Sequence, residues 1–148
     1  MQLYGKGSQR EAMEGAIKEH GLAGTTVIHD PLPFPELVKT ARGFDLFICC
    51  HVQDDPSCTY LESLGCGLPI AGYGNAMWRS MCADSKAGVV TSLGSPRILA
   101  EAVRALIADP GALNAMSRRA RQFALEHSFE LEFARRTDSL GSLYREQR

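Results

Sequence analysis

Asp54-Asp55-Pro56-Ser57-Cys58-Thr59-Tyr60-Leu61-Glu62-Ser63-Leu64-Gly65-Cys66-Gly67-Leu68-Pro69-Ile70 decides how this chain is read. A polar loop leaves an apolar strand, a short helix follows, glycine and proline stop it, and Ile70 opens another strand. Two carboxylates flank the bend: Asp54 at the strand exit and Glu62 on the helix. A loop folded back over the helix start would let one small ligand touch both. The helix N-terminus adds unpaired backbone N–H groups and a partial positive charge, which suit phosphate.

The elements on either side repeat that pattern. Upstream, Asp45-Leu46-Phe47-Ile48-Cys49-Cys50 is a continuous apolar run, as expected of a strand buried on both faces. Thr25 to His29 reads as an earlier strand, ended by Asp30-Pro31-Leu32-Pro33, and Gln2 to Tyr4 as a very short first one. Between them, Met13, Ala16 and Ile17 mark a helix ending near His20, and Pro35 opens another that carries Leu37, Val38 and Ala41. Downstream come a strand from Ile70 to Tyr73, a helix with Met77, Trp78 and Met81, and a last strand from Gly88 to Thr91. Helices are then expected over Pro96 to Ala108, Ala112 to Glu126 and Glu130 to about Arg145, with Asp109-Pro110-Gly111 and His127-Ser128 as punctuation.

Strands alternating with helices predict an α/β fold: a Rossmann-like parallel sheet of about five strands with helices on both faces. In such sheets ligands gather beyond the carboxyl ends of the strands, where Asp54, Ser57 and the Pro31 loop should meet. A length of 148 residues suits a single domain spanning 1–148.

Composition narrows the function classes. With 45% hydrophobic and 22% charged residues the chain reads as globular, and a net charge of -1 gives no reason to expect a nucleic-acid partner. Arg118, Arg119 and Arg121, at helical spacing, read as a solvated face. Five cysteines without a C-x-x-C pair predict reduced, buried thiols. Cys50, His51 and Cys58 could be weighed as metal ligands, but adjacent strand residues point to opposite faces and converge poorly on one ion. No apolar run approaches the roughly 20 residues of a membrane span, and no signal peptide is evident. The expectation is a soluble, cytoplasmic protein, with the inner membrane face as a further setting for a full-length form. Gly5-Lys6-Gly7-Ser8 lacks both the dinucleotide fingerprint and the Walker spacing, so Lys6 reads as a loop lysine.

An acidic residue, seven residues, then Glu followed by Cys66-Gly67-Leu68-Pro69 resembles the E-x7-E signature of nucleotide-sugar glycosyltransferases of the GT-B fold, family 4 type. Asp54 stands where the family has its first Glu. The resemblance runs from Met1 to about Leu143, along the family's carboxy-terminal, donor-binding domain. It implies that Glu62 holds the ribose 2′ and 3′ hydroxyls and that Asp54, the catalytic candidate, bonds the donor sugar. It further implies that the helix start at Ser57, Cys58 and Thr59 receives the diphosphate and that Pro31 and Leu32 run beside the base. No cofactor or bound metal is implied beyond the nucleoside diphosphate sugar, because a helix dipole and basic residues offset phosphate charge.

The chain also departs from the pattern. Asp55-Pro56-Ser57 replaces a glycine-rich turn, and Pro56 has no N–H to donate. Gly74-Asn75-Ala76-Met77 lacks the acid of the family's glycine-pair segment, and Trp78 reads as a packing anchor. The family's first strand and helix, with their diphosphate-binding Arg and Lys, have no counterpart here, nor has the amino-terminal, acceptor-binding domain. Either the Gln2 strand pairs directly with the Leu46 strand, or something else fills the gap, such as a second copy of the chain. From the residues alone, Thr59 to Glu62 also fits a capping box, in which Glu62 only bonds back to the helix start. The expected function is the donor-binding part of a retaining glycosyltransferase, inactive alone. The rival is a non-catalytic α/β binding or assembly module with an eroded nucleotide site. A phosphorelay receiver would want an acidic pair where Gly5-Lys6-Gly7 stands.

Overall fold

A computed structural model describes residues 1–54 and 58–146, with side chains to residue 144. Its contacts cluster into two compact units, Met1–Thr40 and Ala41–Arg148. The first unit contains β1 (Gln2–Tyr4), α1 (Arg10–Glu19), β2 (Val27–His29) and most of α2 (Phe34–Ala41). Strands β1 and β2 pair in parallel, Gln2 opposite Val27 and Tyr4 opposite His29. The Tyr4 and His29 rings stack at 4.6 Å, and Arg10 on α1 bonds Asp30 just beyond β2 at 2.8 Å.

The second unit carries β3 (Phe47–Cys49), α3 (Cys58–Gly65), β4 (Ile70–Tyr73), α4 (Ala76–Ser85), β5 (Gly88–Thr91), α5 (Pro96–Ala108), α6 (Pro110–Glu126) and α7 (Phe129–Glu146). Its three strands are parallel in the order β3-β4-β5, with β4 buried along its whole length. Alternation along β4 divides the core between the two faces of the sheet. Ile70 packs with Tyr60 and Leu64 of α3, Trp78 and Met81 of α4 and Ala120 of α6. Ala71 and Tyr73 pack with Leu99 and Leu106 of α5. Helices therefore cover both faces of this sheet, as the apolar runs predict.

Five strands are present among the described residues, β1 and β2 paired in parallel in the first unit and β3, β4 and β5 in the second. The Gln2 strand does not pair with the strand after Leu46. Its partner is β2, while β3 takes β4. The pairs follow the crossovers through α1, α3 and α4, each of which lies inside one unit. Several boundaries also move, two of them with a clear cause. Strand β3 is shorter than the run Asp45 to Cys50, because its ladder to Ile70–Gly72 holds only Phe47–Cys49. Helix α6 starts at Pro110, inside the expected break: Asp109 Oδ1 accepts the Ala112 N–H at 2.9 Å, and a proline at the first helical position has no N–H to leave unpaired.

The glycine and proline stop after α3 has a definite geometry. Gly67 sits at φ 83°, its N–H reaching the Leu64 carbonyl at 2.9 Å, while the Leu68 N–H reaches Ser63 at 3.0 Å. That pair of bonds is a Schellman stop. Arg121 of α6 lies directly over Gly67, where a side chain would collide with it. This arginine is exposed, like Arg118 and Arg119.

Candidate functional site

The carboxyl ends of β3 and β4 carry the residues of interest in the second unit, because α3 and α4 both begin there. Asp54 follows β3 by five residues. Its side chain does not stand free in solvent: Oδ1 accepts the N–H of Ala76, the first residue of α4, at 2.6 Å. A carboxylate there satisfies one orphan donor and meets the positive end of the helix dipole.

Glu62 lies on α3, exposed, and its side chain makes no hydrogen bond or ion pair among the described residues. The capping-box reading fails on position. Because α3 already includes Cys58, Thr59 is its second residue rather than its cap, and Glu62 lies a turn into the helix. Cys58 is exposed at the helix start and Thr59 half-buried. Ser57, together with Asp55 and Pro56, falls outside the described residues. Pro31 and Leu32 lie in the loop between β2 and α2, in the first unit.

Beneath these residues is a buried polar hub whose extent the sequence reading missed. Asn75, 2% exposed, accepts the Trp78 N–H at 2.8 Å and so caps α4. Its amide nitrogen donates to the Tyr60 hydroxyl at 2.8 Å and to the His51 carbonyl at 3.3 Å. Tyr60 lies flat against Trp78 at 5.6 Å, and both rings are enclosed. The Trp78 indole N–H donates to the Val89 carbonyl at 3.1 Å, which makes this tryptophan the packing anchor of the domain rather than a sugar platform. An asparagine just before a helix was the signal for the cap.

All five cysteines are free thiols. Cys49 and Cys66 are buried, but Cys50 and Cys58 are exposed, against expectation, because one follows the last paired residue of β3 and the other opens α3. Desolvation pushes the Cys50 thiol up, with neighbouring Cys49 adding to it; burial likewise raises Cys66 and Cys82. Cys50 also lines a cavity of about 460 Å³ with Ile48, Tyr73, Leu99 and Val103. Among the described residues no group of three or more His, Cys, Asp or Glu side chains gathers as metal ligands would, and no helix is long and apolar enough to cross a membrane.

Parallel strands, helices on both faces of the second unit's sheet, and polar loops at the strands' carboxyl ends give the chain an α/β fold of the GT-B type. It belongs to the glycosyl transferases group 1 family, whose model matches residues 1–123. Among curated relatives, the 2-deoxystreptamine glucosyltransferase of Streptomyces kanamyceticus is 28% identical over 148 positions, covering 94% of this chain and 37% of that protein. The 2-deoxystreptamine N-acetyl-D-glucosaminyltransferase of Streptomyces fradiae is 31% identical over 95 positions, 64% of this chain and 22% of that one. The chain thus spans well under half the length of these relatives. Sucrose-phosphate synthase from Thermosynechococcus elongatus superposes with a TM-score of 0.81 at 15% identity, over 96% of this chain and 38% of that one. HepE of Anabaena, solved with UDP, superposes with a TM-score of 0.76 at 18% identity, over 95% and 40%.

Proposed function

We propose that this chain is the donor-binding part of a retaining glycosyltransferase of the family 4 type. The complete enzyme would move a sugar from a nucleoside diphosphate sugar to an acceptor hydroxyl, with retention at the anomeric carbon. The observation that carries this reading is Glu62: an exposed carboxylate, unengaged among the described residues, on the helix that starts at the carboxyl end of β3. A carboxylate accepts two hydrogen bonds side by side, which fits the adjacent 2′ and 3′ hydroxyls of a ribose. In this reading Asp54 bonds the donor sugar and the α3 start at Cys58 and Thr59 receives the diphosphate. Helix dipole and backbone amides offset the phosphate charge, so no metal is assigned.

In this reading the acceptor site of such an enzyme lies outside the described residues, which by themselves should bind donor weakly and catalyse nothing. Five free thiols support a cytoplasmic setting. A second reading, a binding or assembly module with an eroded site, draws support from Asp54, whose carboxylate is engaged at the start of α4.

Nucleotide binding separates the two. Ligand-observed NMR with UDP, GDP and ADP, run in parallel on Glu62→Ala, tests the donor site, with UDP first because HepE was solved with it. Glu62→Ala should weaken the preferred nucleotide by about 1.5 to 3 kcal/mol, the usual worth of a hydrogen bond to a charged group. Equal affinity in both proteins would sink the ribose role.

A further inference from the structure

We propose that Asn75 is the positioning residue for the Asp54 and Glu62 carboxylates, holding both flanks of the strand exit and helix start through one buried amide. The inference rests on the donor-site reading for its nucleotide arm, while its structural arm stands on geometry alone.

Asn75 uses each polar atom of its side chain on a different element. Oδ1 holds the Trp78 N–H of α4, and Nδ2 holds both the Tyr60 hydroxyl of α3 and the His51 carbonyl in the segment leaving β3. His51 lies three residues before Asp54 and Tyr60 two residues before Glu62. The residue after Asn75, Ala76, then donates its N–H to Asp54. One amide therefore links the segment that delivers the first carboxylate, the helix that carries the second, and the helix start on which the first one rests.

Other helix-capping side chains cannot repeat this. Aspartate would cap α4 and accept from Tyr60, but would set a negative oxygen against the His51 carbonyl. Serine would cap α4 and reach neither of the others. Burial makes the distinction costly, since a polar group left unpaired here has no water to turn to. The Tyr60 ring is held by its stack on Trp78, while its hydroxyl takes the Asn75 amide at 2.8 Å and the Cys49 thiol at 3.5 Å.

Asn75→Ser is the decisive variant because it keeps the cap and cuts the two other ties. Expected in the full chain are an upfield shift of the Ala76 amide proton and about tenfold weaker nucleoside diphosphate binding. In a Glu62→Ala background the same substitution should change affinity no further. A residue that only caps α4 would leave all of these readouts at their wild-type values, and that result overturns the proposal. So does an equal loss of affinity with and without Glu62. If Asn75→Ser fails to fold, Tyr60→Phe replaces it: the stack on Trp78 remains, the hydroxyl bond goes, and the Ala76 proton should shift in the same direction. A wild-type chain that binds none of UDP, GDP or ADP counts against the donor-site reading, and the Ala76 signature then decides the tie between Asn75 and the Asp54 segment by itself.

Discussion

Asp54 Oδ1 meets the Ala76 N–H at 2.6 Å, so the carboxylate five residues past β3 is the acceptor for the first amide of α4. Asn75 caps the same helix two residues further along, at Trp78. Two acceptors from different segments therefore satisfy the start of one helix.

Removing the first of them should cost stability as well as any ligand contact. Asp54→Ala should destabilise the domain by about 0.5–2 kcal/mol, the usual range for losing an N-terminal acceptor. Asp54→Asn keeps an oxygen for the Ala76 N–H and should cost less. Urea unfolding of the three proteins checks the order. Equal stability of Asp54→Ala and wild type would show that water replaces the carboxylate at no cost.

Gly88 opens β5 opposite Ile70, and it has no room for a side chain. An added Cβ would run into the Ile70 carbonyl oxygen and lie 2.7 Å from Trp78 Cζ2, both parts of fully enclosed residues. Gly88→Ala should therefore destabilise by about 1–3 kcal/mol, the usual cost of overpacking. Denaturant midpoints measure it. A change within about 0.5 kcal/mol, the range of ordinary surface substitutions, would mean that β5 shifts freely against β4.

These particulars show where sequence was enough. Strands β4 and β5 and helix α5 fall where the apolar runs and their bounding Gly, Pro and Asp residues put them, since each is specified by its own burial and its own stops. Partner choice is different. Whether the Gln2 strand pairs with Val27–His29 or with Phe47–Cys49 depends on which crossover closes, and no residue in Gln2 to Tyr4 encodes that. The place of Glu62 on a short exposed helix turn was legible from the residues around it, and its reading as a capping-box acid failed only because α3 already includes Cys58 and Thr59. The cap at Asn75 was legible from its neighbours. Its bonds to Tyr60 and His51 were not, because they span 15 and 24 residues of chain.

Cys50 combines exposure with a raised thiol pKa, because desolvation and the adjacent Cys49 both disfavour its thiolate. Thiolate is the reacting form, so alkylation by iodoacetamide should stay slow at neutral pH and rise with a midpoint above that of an ordinary cysteine. Peptide mass spectrometry across a pH series reads this site by site. Fast alkylation of Cys50 at pH 7 would contradict the assignment.

Glu132, in the first turn of α7, binds the His127 ring at 2.8 Å and also bonds Arg135. The His127 bond, aided by Arg135, holds its carboxyl below the ordinary value against a smaller opposing effect of desolvation. A depressed carboxylate pKa gives stability that is fully present above the unfolded value, about 4.3, and is lost as pH falls through the folded value. His127 closes α6 and Glu132 lies near the start of α7, so the contribution should appear where the two helices join. Amide exchange around residues 127–135 should be slower in wild type than in Glu132→Gln at pH 6, with the difference shrinking below about pH 4. Added salt should shrink it as well, because the group is at the surface. A difference that grew on acidification would reverse the sign of the linkage and remove Glu132 from the junction.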